Sequence, residues 1–110
     1  MALKIAKKPT FSATAEVFTP NDRCGHDRST LTVKFLRTTR EELDELRKIP
    51  QVDVLRQKLT GWDDFQDEEG NNLEFNPDNL EILLNIPEAL YGLSLAFWDS
   101  VVKAKGREKN

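Results

Sequence analysis

Residues 87–102 restrict the fold most, because apolar residues recur there at two helical phases. One apolar stripe comprises Leu90, Leu93, Phe97 and Val101. A second comprises Tyr91, Leu95, Trp98 and Val102. A surface helix needs a single stripe about 100° wide. The extra stripe requires burial in the domain, in an oligomer or against a partner, so the sequence leaves two interpretations open: a central core helix, or a helix that presents one stripe to another protein.

Pro87 is suited to the first position of this helix, which we expect to run to about Lys105, a length of roughly 28 Å. Lys103 and Lys105 near its end would complement the helix dipole. Gly92 lies in mid-helix, where glycine costs up to about 1 kcal/mol relative to alanine. Its presence there indicates close packing.

Two segments with alternating polarity predict an antiparallel β-hairpin near the N-terminus. The first has Phe11, Ala13, Ala15 and Val17 at one parity, and the second has Leu31, Val33 and Phe35. Alternation of this kind gives a strand one buried and one solvated face. Pro20 to Arg28 is wholly polar and predicts a long, mobile connection. Two strands alone are marginal, so we expect helices to cover their apolar face.

The middle of the chain carries helix signals. Thr39 and Glu42 form a capping box that precedes Leu43, Leu46 and Ile49 at helical spacing. Pro50 stops this helix, kinks it, or serves as the first residue of a second one. An apolar stripe predicts that the second helix continues to a cap at Gly61; it comprises Val52, Leu55, Leu59 and Trp62.

The next segment predicts a small second hairpin near 65–75, because Gly70-Asn71-Asn72 can adopt positive φ between Phe65 and Phe75. Asn76 and Pro77 then suit the N-cap and first position of a short helix. Its inward residues are Leu80, Leu83 and Leu84.

The predicted class is α+β, with the N-terminal hairpin packed on four short-to-medium helices. We expect a single domain over residues 1–110, with a flexible basic tail at 1–9 and a frayed basic end at 106–110.

The charge distribution disfavours nucleic acid as a partner. The net charge is −3, and residues 61–102 hold ten acidic groups and no basic one. Such a segment would repel phosphate.

No stretch approaches the ~18 apolar residues that span a membrane, and no signal-peptide pattern follows the first lysines. The single cysteine, Cys24, fits a reducing compartment, so we expect a cytoplasmic protein that binds neither nucleic acid nor membrane.

No set of residues predicts catalysis, a metal site or a cofactor. Placing Gly70 at the glycine position of a calcium loop puts Phe65 where an oxygen ligand is needed. Cys24 and His26 supply only two soft ligands, fewer than a zinc site requires. A small enzyme that uses the acidic loop stays a third hypothesis; it requires Asp63, Asp64, Asp67, Glu68 and Glu69 to converge with perturbed pKa values.

Aromatic anchors are the expected means of recognition, since tryptophan and tyrosine are enriched among the residues that carry binding energy. The alternative is that these side chains belong to the core. The candidate interface residues are Trp62, Phe65, Phe75, Tyr91, Leu93, Phe97 and Trp98.

From about Thr10 to Asn110 the chain resembles the tail assembly chaperones of long-tailed bacteriophages and prophages. The resemblance is carried by Gly61-Trp62, Asp67-Glu68-Glu69-Gly70, Leu73-x-Phe75-Asn76-Pro77-x-Asn79-Leu80, Leu83-Leu84-x-Ile86-Pro87, Ala96-Phe97 and Lys109-Asn110. In the front half it rests on Phe35-x-Arg37-x-Thr39 and the segment Glu41 to Leu46.

This resemblance implies a non-enzymatic protein of the bacterial cytoplasm that is absent from the mature virion. Its implied partners are the tape-measure protein, which it keeps soluble, and the tail-tube protein. Self-association into a homo-oligomer is also open. The alternative is another prophage-encoded protein-binding module, for example an inhibitor of a host protein.

Overall fold

A computed structural model describes residues 1–5 and 8–102, and within these ranges it contains three strands and four helices. In chain order they are β1 (Thr10–Pro20), β2 (His26–Leu36), α1 (Arg40–Leu46), α2 (Gln51–Lys58), β3 (Leu59–Asp63), α3 (Pro77–Leu84) and α4 (Pro87–Val102). The predicted α+β class, with an N-terminal hairpin packed on four helices, is confirmed. The predicted frayed end at 106–110 and the capping lysines at 103 and 105 lie outside the described residues.

The β1–β2 hairpin pairs as predicted, but its loop is short. The antiparallel register runs from Thr10 opposite Leu36 to Pro20 opposite His26. The loop is ordered by Asn21, whose side-chain oxygen accepts hydrogen bonds from the backbone N–H groups of Arg23 at 3.0 Å and Gly25 at 3.1 Å. The prediction of a long, mobile connection from Pro20 to Arg28 is therefore wrong, because polar residues there continue the strand pairing instead of leaving it.

The alternation in both strands sets the inner face of the sheet. Ala15, Leu31, Val33 and Phe35 are buried, and Phe11, Ala13 and Val17 pack beside them. The ring of Phe35 meets the ring of Phe97 edge-on at 5.2 Å. This face and the inward residues of the helices form one core.

Local capping chemistry fixes the helix starts. The Thr39 hydroxyl accepts from the Glu42 N–H at 3.2 Å, and the Glu42 carboxylate accepts from the Thr39 N–H at 3.0 Å, so the capping box is confirmed. Pro50 is the N-cap residue of α2, and its carbonyl oxygen accepts hydrogen bonds from the N–H groups of Asp53 and Val54. Pro50 is thus not the first helical residue of α2 but its N-cap, immediately before Gln51, and α1 has already ended at Leu46.

The prediction that α2 continues to Gly61 is wrong. The helix ends at Lys58, and Leu59 has extended backbone angles. Residues 59–63 instead pair antiparallel with β2, with Trp62 opposite Val33 and Gly61 opposite Lys34. The spacing of Leu59 and Trp62 suits a helix, but the free edge of β2 offers backbone hydrogen bonds that local spacing does not reveal.

The segment after β3 folds back on itself as a small turn. The Leu73 N–H donates to the Phe65 carbonyl at 2.8 Å, and Gln66 and Asn72 form an isolated bridge. Gly70 has a φ of 84°, as the predicted turn requires. The second hairpin is thus present in reduced form, with bridge pairing in place of full strands.

The last two helices start as expected. The Asn76 side chain accepts from the Asn79 N–H at 2.8 Å, and Pro77 opens α3. Pro87 opens α4, which packs along β1. No single helix among the described residues is long and apolar enough to cross a membrane; α3 and α4 pass that test only as a pair, and they are bent by 99° at their junction.

Candidate functional site

The two apolar stripes of α4 have different surroundings. The first stripe points into the core: Leu93 and Phe97 are fully buried, and Leu90 and Val101 pack against the core. The second stripe faces outward. Tyr91 is 69% exposed and Leu95 is 47% exposed. One stripe therefore belongs to the core and the other reaches the surface, where its contact with another protein stays a prediction.

Leu93 and Phe97 are the two predicted interface residues that the structure corrects. Neither has any accessible surface. Phe97 packs edge-on against Phe35 and Trp98, both at 5.2 Å between ring centroids. These side chains hold α4 on the sheet and cannot touch a partner while the domain is folded.

Trp98 belongs to the second stripe but is engaged within the chain. Its indole N–H donates to the side-chain oxygen of Gln51 at 2.8 Å. The guanidinium of Arg47 lies 5.3 Å from the centre of its ring, a cation–π geometry. This half-buried tryptophan therefore ties α4 to the start of α2 and to the end of α1.

Trp62, Phe65 and Phe75 form a separate aromatic cluster. The rings of Phe65 and Phe75 both meet Trp62 edge-on, at 5.1 Å and 4.8 Å. The Trp62 indole N–H donates to the Leu73 carbonyl at 2.8 Å. Trp62 and Phe65 are half-buried, and Phe75 is the most exposed of the three. The cluster anchors the 64–76 loop against β3 and leaves one edge in solvent.

An open groove of about 400 Å³ lies between β1 and α4. Its β1 wall contains Thr14, Glu16 and Phe18, which share the outer face of the strand. Its helical side is formed by Glu88, Tyr91, Gly92, Leu95, Ala96 and Asp99, and His26 of β2 completes the lining. Of the predicted interface residues, the groove includes Tyr91 alone.

Phe18 and Leu95 are the groove residues that the interface prediction missed. Phe18 is 48% exposed and lies near the end of the hairpin, opposite Arg28. The sequence does contain a signal for it, because Phe18 is the apolar residue at the parity otherwise occupied by Ser12, Thr14 and Glu16. Leu95 is in the second stripe, but spacing alone does not say which stripe faces solvent.

Acidic side chains border the groove. Three carboxylates line it, from Glu16, Glu88 and Asp99, and no lysine or arginine does so in the described part of the chain. Glu16 forms an ion pair with Arg28 across the hairpin, with a 2.7 Å hydrogen bond from the Arg28 Nε. The groove thus combines apolar side chains with three carboxylates among its lining residues.

In the acidic loop, the side chain of Asp67 is hydrogen-bonded to the backbone of the following turn. The Asp67 carboxylate accepts from the N–H groups of Asn71 at 2.9 Å and Glu69 at 3.0 Å, and these bonds hold the pKa of Asp67 below its usual value. Asp63, Asp64, Glu68 and Glu69 are exposed. Within residues 1–5 and 8–102, no three His, Cys, Asp or Glu side chains are grouped so as to hold a metal ion.

Cys24 and His26 belong to different parts of the hairpin. Cys24 is exposed and adopts a φ of 63° in the loop, whereas His26 begins β2 opposite Pro20. Cys24 is therefore a residue of the connecting turn, and His26 lies beside the groove.

Comparison with known proteins yields no significant match to a protein-family model, a curated protein or a solved structure.

Proposed function

We propose that this chain is a non-catalytic tail assembly chaperone that binds the tape-measure protein of a long-tailed phage or prophage. The single observation that carries the proposal is the groove between β1 and α4, in which Phe18, Tyr91 and Leu95 expose apolar surface. Exposed apolar surface gathered in one place is typical of a protein-binding site. The ordered resemblance along the chain supplies the identity of the partner.

The core is complete without these residues. Phe35, Leu55, Leu93 and Phe97 fill the interior, and no buried side-chain nitrogen or oxygen within the described ranges lacks a hydrogen-bond partner. The outer stripe of α4 is therefore unnecessary for the fold at its exposed positions. Exposed apolar side chains gathered at such positions support a binding role for this surface.

The proposed role also sets an affinity range. A tape-measure protein exposes long apolar helical surface until the tail tube encloses it, so a chaperone must cover that surface and later be displaced. A dissociation constant of ~1 μM corresponds to about 8 kcal/mol, which tube assembly can outcompete. We place the protein in the bacterial cytoplasm, outside the finished virion, and include the tail-tube protein as a second partner.

Co-expression tests the proposal. The chain is produced with the tape-measure protein of the same gene cluster, and the soluble fraction and co-purification are measured. We expect the wild type to keep the tape-measure protein soluble and to co-purify with it. Unchanged solubility together with no co-purification would refute the function. If the gene cluster contains no tail genes, the proposal loses to the alternative of another protein-binding module.

A further inference from the structure

Lys58, the last residue of α2, carries a buried positive charge. Its side chain is 7% exposed, and within residues 1–5 and 8–102 it is the one charged residue that is buried. Its ammonium group donates a hydrogen bond of 3.2 Å to the carboxylate of Glu42 in α1. Because a buried charge that loses its partner is costly, the stability of this arrangement depends on Glu42.

The two members of this ion pair differ in their exposure to water. The Glu42 side chain is 51% exposed, and its carboxylate also accepts from the Thr39 N–H in the capping box. Loss of Lys58 would therefore leave a carboxylate that water and Thr39 still solvate. Loss of Glu42 would leave a buried ammonium group without its partner.

Helix α1 has few other attachments to the domain. Five of its seven residues are exposed, and only Leu43 and Leu46 are buried. Directly after the helix, the guanidinium of Arg47 lies 5.3 Å from the centre of the Trp98 ring. Helix α4 packs extensively along β1, whereas α1 makes no contact of that extent with any other helix or strand. A short segment with few buried side chains opens at a lower free-energy cost than the core.

We infer that α1 is a lid that opens as a unit while the rest of the domain stays folded, and that the Glu42–Lys58 ion pair is the latch that keeps it closed. Opening takes Leu43 and Leu46 out of the core and separates the two charges. Water can then replace Glu42 around the ammonium group, so loss of Glu42 favours the open state. The inference does not depend on the proposed function.

Native-state hydrogen exchange of the full chain tests whether the lid exists. The reporters for α1 are the amides of Leu43 and Arg47, which donate to the carbonyls of Thr39 and Leu43 at 3.0 Å. The core reporters are the amides of the fully buried Leu93 and Phe97. After correction for intrinsic rates, the α1 amides should exchange at least about ten-fold faster than the core amides in the wild type. Low concentrations of urea should change the α1 rate little, because local opening exposes little surface.

Glu42→Gln tests the latch, because glutamine at this position can still complete the capping box. The ion pair is absent both from the open lid and from the unfolded chain. Its loss should therefore accelerate exchange of the α1 amides and of the core amides alike, by at least about ten-fold. Glu41→Gln, which neutralises an exposed neighbour in the same turn, is the matched control and should change both rates by less than about three-fold.

Lys58→Met separates the latch from the helix cap. Methionine keeps an unbranched side chain in the buried position without the charge, so Glu42→Gln should accelerate α1 exchange by less than about three-fold in this background. The lid is overturned if the α1 amides exchange no faster than the core amides in the wild type. The latch is overturned if Glu42→Gln accelerates the core amides but not those of Leu43 and Arg47, or if its full effect persists in the Lys58→Met background.

Discussion

The backbone carbonyl of Glu16 in β1 occupies the place that a side chain at Gly92 in α4 would need. A Cβ atom at Gly92 would lie closer than 3.0 Å to that oxygen, a separation that real Cβ atoms essentially never show. The contact explains a glycine in mid-helix, as the sequence indicated, and it sets how near α4 comes to the strand.

Gly92→Ala should therefore destabilise the protein although alanine is the better helix former. The helix would gain about 1 kcal/mol of propensity, but overpacking against backbone costs roughly 1–3 kcal/mol. We expect a net loss in the free energy of unfolding, measured by urea denaturation. Gly61→Ala is the matched control, because the nearest atom to its new Cβ would be 4.0 Å away. A more stable Gly92→Ala protein would contradict the packing described for α4.

Trp62→Phe should loosen the 64–76 loop. Phenylalanine keeps a ring between Phe65 and Phe75 but removes the donor that bonds the Leu73 carbonyl. Loss of such a bond costs about 1 kcal/mol, and hydrogen exchange of the Leu73 amide should accelerate. Trp98→Phe, which loses an exposed bond to Gln51, serves as the control for removing an indole. Unaltered exchange at Leu73 in Trp62→Phe would show that the ring contacts alone hold the loop.

Thr39→Ala should weaken the start of α1. It removes the hydroxyl that accepts from the Glu42 N–H, and loss of an N-cap costs about 1 kcal/mol. Thr39→Ser keeps an oxygen in the same position and should restore most of the free energy of unfolding. Thermal or urea denaturation measures both variants, and equal losses for alanine and serine would refute the capping role.

Two carboxylates should make stability fall in acid. The pKa of Glu81 is lowered by the Arg56 guanidinium, which bonds both of its oxygens at 2.8 and 2.9 Å. The pKa of Glu42 is lowered first by the Thr39 N–H and then by Lys58. Because the folded pKa lies below the ordinary 4.5, their contribution is complete above that pH and is lost as the pH falls through the folded pKa.

The corresponding measurement is the free energy of unfolding as the pH falls from about 5 towards about 2. The wild type should lose stability across this range, and Glu81→Gln should lose less. Arg56→Gln should flatten the curve in the same direction, since it removes the partner that lowers the pKa of Glu81. Identical pH profiles for all three proteins would show that this pair does not contribute.

Local signals predicted much of the fold. Thr39 with Glu42, and Asn76 with Pro77, satisfy free backbone groups within a few residues, so the sequence alone reveals these helix starts. Strand β3 was not predictable in the same way, because Leu59–Asp63 becomes extended through pairing with β2, more than twenty residues away. Tertiary pairing overrode a helical spacing that was locally plausible.

The candidate site was only partly predictable for a similar reason. The two stripes of α4 can be read from spacing, but which one faces solvent depends on the approach of Gly92 to β1. Interface predictions for Leu93 and Phe97 failed on this point, whereas Tyr91 lies in the groove. Phe18 could have been identified from its parity, although its position beside α4 follows from the three-dimensional arrangement.

The most direct test of the proposed function is to map whether, and where, a tape-measure protein contacts this chain. Amide chemical shifts of the full chain, labelled with ¹⁵N, would be followed during titration with a soluble helical fragment of the tape-measure protein from the same gene cluster. The account predicts that the largest shifts occur at Phe18, Tyr91 and Leu95 and are reduced in Leu95→Ala. Shifts confined to the Ile82 side of α3, or no shifts at all, would contradict it.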